Sequence, residues 1–335
     1  MEIYYLCNIN TLNMGNYINP FTDVGFKRIF GQEISKPLLI DFLNSLLEDE
    51  LKITDLTFLD KEQMPENDMD RSLIYDIYCE IESGEHIIVE MQNQSQAYFK
   101  DRSLFYASKA IIRQGKRGTQ WEYDVKSVYL IAFLNFKLPD ISDEFRTDVA
   151  LMNMRSKELF SDKLRLIYLQ LPLFTKEANE CTSDFERWIY VLKNMETLQR
   201  FPAEFQNAVF QKLAEITDFS SLSPSEQDLY DESLKKFRDT IAVLRHAQRQ
   251  GLAEGRAKGL EEGRAKGLEE GRAEGRAEGR AEGRAEGRAE GRAEGRAEGE
   301  RLQAMAMARK MKADGLEHDM IMKYTGLTPD DLQRL

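Results

Sequence analysis

The sequence predicts an α/β fold, in which a mixed sheet flanked by helices is followed by a helical extension, a repeat and a small helical tail. Three patterns predict this arrangement. Up to residue 182, segments that alternate with a period of two lie between segments of helical periodicity. From residue 183 the apolar spacing is helical. Thirteen of the 21 glycines then recur at every fourth position from Gly251 to Gly299, where no apolar stripe exists.

Two helices and a strand open the predicted core. Residues 20–30 place apolar side chains at near-helical spacing, and residues 36–50 are amphipathic with one leucine-rich face. Residues 53–59 alternate like a strand. Residues 60–71 are rich in acids and contain Pro65, which predicts a loop.

A β-hairpin is the most informative local pattern. Residues 73–82 alternate strictly between apolar and polar, residues 83–85 read Ser-Gly-Glu, and residues 86–92 return as a second strand. A three-residue connection at 83–85 pairs Glu82 with His86. Since directly opposed residues share a face, this register determines which side chains meet.

The predicted register brings acidic side chains together. It sets Asp76 opposite Gln92 and leaves Asp76, Glu90 and Gln92 on one face. Two neighbouring carboxylates repel unless a cation lies between them, and Mg²⁺ or Mn²⁺ prefers such oxygen ligands, with the Met91 backbone carbonyl as a further ligand. A solvated strand face is the alternative for Asp76, whereas an acid inside the apolar strand IIVEMQ needs a partner or a metal.

The next helix is basic. Residues 97–118 carry six basic side chains against one acid. Arg102, Tyr106, Lys109 and Arg113 form one helical stripe, which together with Lys100 is a candidate contact for the phosphates of double-stranded DNA. The alternative is a solubilising outer face, which requires the apolar residues of the helix to be buried: Leu104, Phe105, Ala107, Ile111 and Ile112.

The remaining segments complete the sheet and start the helical part. Residues 126–136 are apolar on both faces, which predicts a central strand, and residues 149–152 and 164–171 predict further strands. Helices are expected over three further segments: 185–201, 203–216 and 225–250.

The repeat and the tail define the last two of five predicted segments. These are an N-terminal extension (1–17), the core (18–182), a helical extension (183–250), the repeat (251–299) and a helix-turn-helix-like tail (300–335). Each interior glycine costs a helix about 0.8–1.0 kcal/mol relative to alanine, so the repeat is expected to be a fraying, helix-biased spacer. In the tail, Thr328 and Pro329 have the order of an N-cap and a first helical residue. Asp330 and Asp331 disfavour entry into a DNA groove, which favours interaction or dimerisation.

Composition excludes several classes. The net charge of −12 argues against coating nucleic acid through bulk charge, although not against a local basic path. Three scattered cysteines and three scattered histidines argue against a disulfide framework or a zinc site. The first residues lack the pattern of a signal peptide and no segment is apolar enough to span a bilayer, so a cytoplasmic protein without a membrane partner is expected.

Several segments resemble a known family: PFTDVGFKRIFG, DFLNSLL, YDIYCEIESGEHIIVEMQ and FKDRSLFYASKAI. They are similar to the recombination-promoting nuclease (Rpn)/putative transposase family of the PD-(D/E)XK nuclease superfamily over residues 18–136. The resemblance implies a restriction-endonuclease-like fold, with Asp76 and Glu90 as metal ligands and Asp23 as an additional acidic residue. Gln92 stands where the superfamily usually has a catalytic lysine. Arg102 and Tyr106 belong to the family motif.

The expected function is a Mg²⁺- or Mn²⁺-dependent DNA endonuclease linked to recombination or transposition. Glutamine can orient a water molecule but cannot supply a positive charge. An alternative is therefore a catalytically weakened nuclease fold that binds DNA or a protein. A third hypothesis is a scaffold that forms a homo-oligomer through the helical extension and the tail.

Overall fold

The computed structural model describes residues 15–48, 50–63, 73–116, 118, 121–139 and 141–335. Most of the predicted N-terminal extension and of the predicted loop 60–71 lies outside these residues. Contacts divide the chain into a first unit that ends at Gln248 and a second unit that starts at Arg249.

Helices and strands alternate in the first half of the chain, and helices dominate the second half. The strands are β1 (Leu56–Phe58), β2 (Glu62–Gln63), β3 (Leu73–Ile74), β4 (Ile77–Ile81), β5 (His86–Gln92), β6 (Val128–Leu134), β7 (Arg146–Met152) and β8 (Leu159–Gln170). The helices are α1 (Asp23–Phe30), α2 (Lys36–Leu46), α3 (Phe99–Ile112), α4 (Asp184–Asn194), α5 (Ala208–Thr217), α6 (Pro224–Ala313), α7 (His318–Thr325) and α8 (Pro329–Gln333).

The main sheet is mixed, as the sequence predicts. Its strand order is β1-β4-β5-β6-β8-β7. The β4–β5 and β7–β8 pairs are antiparallel, whereas β5–β6 and β6–β8 are parallel. Helix α3 joins the parallel neighbours β5 and β6. A separate small ladder pairs β2 with β3.

Helices cover both faces of the sheet. On one face, α1, α2, α4, α5 and the start of α6 enclose an aromatic core around Trp188, which is fully buried and lies 5.1–5.9 Å from the rings of Phe30, Phe42 and Phe210. On the other face, α3 packs against β6 and β8. Strand β6 is buried along its whole length because its alternate residues enter the two cores. The predicted central strand is therefore confirmed.

Several predicted elements are shorter than their sequence patterns. The strand expected over 53–59 is reduced to β1 because the backbone before it bonds to side chains. The Asn44 amide binds both N–H and C=O of Ile53, and the Glu82 carboxylate accepts the N–H groups of Thr54 and Asp55. The helix expected over 203–216 begins only at Ala208, since Asn207 caps it by accepting the N–H of Phe210.

The second unit contains the repeat and the tail. Helix α6 runs through the repeat as far as Ala313, so the helix boundaries expected near residues 250 and 300 are absent from this part of the chain. The tail packs around four buried residues: Ala308, Ile321, Leu327 and Leu332. Gly326, with φ of 68°, ends α7, and Thr328 caps α8 through reciprocal bonds with Asp331. The predicted N-cap and Pro329 start are confirmed.

Candidate functional site

Asp76 lies at a bend that the sequence pattern does not reveal. The alternation over 73–82 predicts one continuous strand, but the structure breaks it between β3 and β4. Tyr75 then turns to the α3 side of the sheet, where its ring lies 5.0 Å from that of Tyr78 and 5.4 Å from that of Tyr106. Oδ2 of Asp76 accepts the backbone N–H of Met91 at 2.8 Å, so the carboxylate bridges the start of β4 and the end of β5.

The hairpin register differs by two residues from the predicted one. Glu80, and not Glu82, pairs with His86, and Ile77 pairs with Val89. This pairing makes Glu82-Ser83-Gly84 the connection. Gly84 takes a φ of +96°, the left-handed conformation that a three-residue connection needs at its last position. A shift of two residues keeps every side chain on its face. Continued by one residue beyond Ile77, the observed register sets Asp76 opposite Glu90 instead of Gln92.

Glu90 is a buried acid with an incomplete set of hydrogen bonds. Its side chain is 3% exposed, and Oε2 accepts a hydrogen bond from Nε2 of Gln92 at 3.3 Å. Oε1 is buried and has no hydrogen-bond partner among the residues that the structure describes. Burial and then the nearby charge of Asp76 raise the pKa of Glu90 to about 8. Burial also raises the pKa of Asp76, although the Met91 N–H and the charge of Lys27 act in the opposite direction.

The two neighbouring carboxylates repel each other, whereas a divalent cation between them would be attracted to both. Mg²⁺ is usually bound by one or two carboxylates and keeps several waters or substrate oxygens, so it does not need an all-protein cage. The described residues hold no group of three or more histidine, cysteine or acidic side chains placed for a metal. The unpartnered oxygen on Glu90 and the neighbouring Asp76 carboxylate fit such a pair of ligands. The Met91 carbonyl stays a predicted ligand.

Asp23 stands near this pair but is bound elsewhere. It occupies the first turn of α1, where Thr22 caps the helix by accepting the N–H of Gly25. Its carboxylate forms an ion pair of 2.6 Å with Lys27, and its charge raises the pKa of Asp76. Asp23 therefore acts on the site through charge, and its catalytic role stays a prediction.

Cationic side chains on two different helices lower the pKa of Asp76: Lys27 of α1 and Arg102 of α3. The guanidinium of Arg102 lies 5.3 Å from the ring centre of Phe99 and 5.4 Å from that of Tyr106, and it donates to Gln96 Oε1 at 2.9 Å. Its charge lowers the pKa of both Asp76 and Glu90. Lys27 is not among the site residues that the sequence predicts. Its spacing of four from Asp23 in PFTDVGFK nevertheless places both residues on one face of the helix.

The burial pattern of helix α3 contradicts the alternative of a solubilising outer face. Leu104, Phe105 and Ile112 are exposed, although the solubilising-face alternative requires them to be buried. The buried side instead consists mainly of small residues, with Ser103, Ala107 and Ala110 below Phe99. Small residues let the helix approach β6 and β8 closely, and Ser103 Oγ meets the hydroxyl of Tyr168 at 2.6 Å. The stripe of Arg102, Tyr106, Lys109 and Arg113 is partly or fully exposed, as phosphate contacts require.

Two family models match most of this chain. The model described as PD-(D/E)XK nuclease family transposase matches residues 20–247, and that described as Rpn/YhgA-like nuclease family, C-terminal HTH domain, matches residues 301–335. Searches of curated proteins and of solved structures gave no match. Among the described residues, no helix is both long and apolar enough to cross a membrane. Since the first match covers more than half of the chain and contains the hairpin, the chain belongs to the PD-(D/E)XK nuclease family transposases.

Proposed function

We propose that the protein is a Mg²⁺- or Mn²⁺-dependent endonuclease of double-stranded DNA that acts in recombination or transposition. The observation that carries the proposal is the pair formed by Asp76 and Glu90, with one buried oxygen of Glu90 left without a partner among the described residues. Membership of a nuclease family and the match of the tail to a helix-turn-helix domain support DNA as the substrate.

The reaction would be the hydrolysis of a phosphodiester. The oxygen of a water molecule bonds to phosphorus and its proton passes to solvent, one ester P–O bond breaks, and the departing oxygen takes up a proton from solvent. A bound divalent cation would lower the pKa of that water and offset negative charge on the phosphate.

The chain's own residues hold the ligands in place. The Met91 N–H fixes Oδ2 of Asp76, and the Gln92 amide fixes Oε2 of Glu90. Each carboxylate is therefore oriented by a hydrogen bond before substrate binds, which is what preorganised sites require. Gln92 itself can orient the attacking water but offers no charge.

The basic stripe of α3 would hold the DNA backbone beside the carboxylates. Within this stripe, Arg102 is the cation whose charge lowers the pKa of both acids. Lys100, Tyr106, Lys109 and Arg113 would extend the contact along the helix.

Cleavage of a supercoiled plasmid tests the proposal. We expect nicking by the wild-type chain in Mg²⁺ and none in EDTA, and loss of nicking in Asp76→Asn. Glu80→Gln is the matched control because Glu80 lies in β4, four residues further along the chain from Asp76. Equal nicking by wild type and Asp76→Asn would refute the proposal.

A second function is favoured by one observation, the amide at Gln92. If the fold binds DNA or a protein without efficient chemistry, salt-sensitive DNA binding would persist while Mg²⁺ produced no cleavage. A cytoplasmic location and self-association through the helical extension and the tail stay predictions from the sequence.

A further inference from the structure

The strand pair of the site supplies no positive charge. Asp76 and Glu90 are acids and Gln92 is an amide, while phosphoryl transfer builds up negative charge on the phosphate oxygens. Besides the divalent cation, positive charge at the reacting phosphate can therefore come only from other elements of the chain. Among the described residues, the charges of Lys27 and Arg102 both lower the pKa of Asp76.

The two cations are held in different ways. The guanidinium of Arg102 lies by two aromatic rings and donates to Gln96, so its position is fixed on the α3 side. Lys27 has an ion-pair partner in the structure, Asp23 at 2.6 Å, and a third of its side chain is exposed. Exposed ion pairs four residues apart on a helix are weak, so its ammonium can exchange Asp23 for a phosphate oxygen.

The helix that carries Lys27 is rigidly placed beside the site. Phe26 and Phe30 of α1 are buried, and their rings lie 5.7 and 6.1 Å from that of Phe133 in β6. The loop after β5 is tied to the same helix start, because Nδ2 of Asn93 donates to the carbonyl of Phe21 at 2.9 Å. The end of β5, which carries Glu90 and Gln92, is thereby joined to α1.

We propose that Lys27 is a further catalytic residue, whose ammonium group contacts the phosphate that is cleaved and stabilises the negative charge of the transition state. The inference rests on the proposed nuclease function. The contribution of Lys27 is electrostatic. On DNA binding its ammonium leaves Asp23 for a phosphate oxygen.

The test compares Lys27→Met with Lys36→Met in the full chain. Lys36 is a matched control because it also forms a 2.6 Å ion pair, with Asp55, and its side chain is 23% exposed against 33% for Lys27. Single-turnover cleavage of plasmid DNA in Mg²⁺ at saturating protein is measured first. Binding of a DNA duplex without metal is then measured as a function of salt concentration.

We expect Lys27→Met to slow single-turnover cleavage by about 10²–10³-fold, the usual effect of removing one group that stabilises transition-state charge, and Lys27→Arg to restore most of the rate. The slope of log affinity against log salt should fall by about 0.9, the value for one phosphate contact. Lys36→Met should change neither quantity.

Three outcomes would overturn the inference. Cleavage by Lys27→Met at the rate of Lys36→Met would remove the catalytic role, and an unchanged salt slope would remove the phosphate contact. Failure of Lys27→Arg to restore any activity, with unfolding temperatures equal to wild type, would exclude an electrostatic role. Absence of Mg²⁺-dependent cleavage in the wild-type chain would instead refute the proposed function, and this inference with it.

Discussion

Replacing Glu90 by glutamine should stabilise the metal-free protein, although most substitutions of buried residues destabilise. The acid is 3% exposed, faces Asp76 and has one oxygen without a hydrogen-bond partner among the described residues. In this position a carboxyl group either keeps its charge while buried beside Asp76 or takes up a proton on folding. Both cost free energy that a neutral glutamine of the same size does not.

The size of the gain follows from the unsatisfied oxygen. Leaving one buried polar group without a partner costs about 1–3 kcal/mol. In the wild type, the acid at position 90 faces a second acid, Asp76. A glutamine at position 90 would instead offer N–H donors toward Asp76. For a domain of 150–250 residues, 1 kcal/mol shifts the unfolding temperature by about 2–4 °C, so the expected rise is about 2–12 °C.

Calorimetric unfolding in EDTA measures the stabilisation by the substitution, and unfolding in excess Mg²⁺ measures the stabilisation by the cation. In EDTA, Glu90→Gln should unfold at a higher temperature than wild type. A cation at 100 times its dissociation constant stabilises by about 2.7 kcal/mol, so Mg²⁺ should raise the unfolding temperature of wild type and leave that of Glu90→Gln unchanged. Glu80→Gln should behave as wild type in both buffers.

A lower unfolding temperature of Glu90→Gln than of wild type in EDTA would show that Glu90 is satisfied in the free protein and would refute this prediction. Equal stabilisation of wild type and Glu90→Gln by Mg²⁺ would show that the cation binds elsewhere.

Three further predictions concern the neighbours of the pair and the hairpin. Gln92→Ala should weaken Mn²⁺ binding by about 10–100-fold in a calorimetric titration, because the amide that orients Glu90 is lost. Arg102→Leu should reduce cleavage and lower the salt dependence of DNA binding, whereas Arg155→Leu, in the exposed β7–β8 turn, should change neither. Hydrogen bonds from Thr54 lower the pKa of Glu82 to about 2, so Glu82 stabilises the fold above pH 4.5 and loses this effect as the pH falls toward 2. Urea unfolding should therefore separate wild type from Glu82→Gln at pH 6 but not near pH 2. A separation that persists near pH 2 would show that the carboxylate charge is not responsible.

The sequence predicts the faces of the hairpin but not its register. Period-two alternation fixes which side of the sheet Glu90 and Gln92 take, and that prediction does not change with a shift of two residues. The register depends on which residue ends the three-residue connection: Glu85 in the predicted connection, and Gly84, which takes the positive φ, in the observed one. The structure has the one that sets Asp76 opposite Glu90 and so brings the two acids together.

Other differences come from packing that a single sequence does not show. Tyr75 follows the alternation of its strand, yet it leaves that face to join Tyr78 and Tyr106 below α3. The apolar residues of α3 predict a buried face, but the helix buries small residues and exposes Leu104 and Phe105. Lys27 reads as one of many surface lysines in the sequence, whereas in the structure its charge lowers the pKa of Asp76.

The Mg²⁺ dependence of single-turnover plasmid cleavage tests the central claim most directly. In wild type and in Glu80→Gln the rate should rise with Mg²⁺ concentration and saturate, while Asp76→Asn and Glu90→Gln should show no saturable rise. Cleavage in EDTA at the Mg²⁺ rate, or saturable Mg²⁺ dependence retained in both Asp76→Asn and Glu90→Gln, would contradict a metal-dependent nuclease site at these two carboxylates.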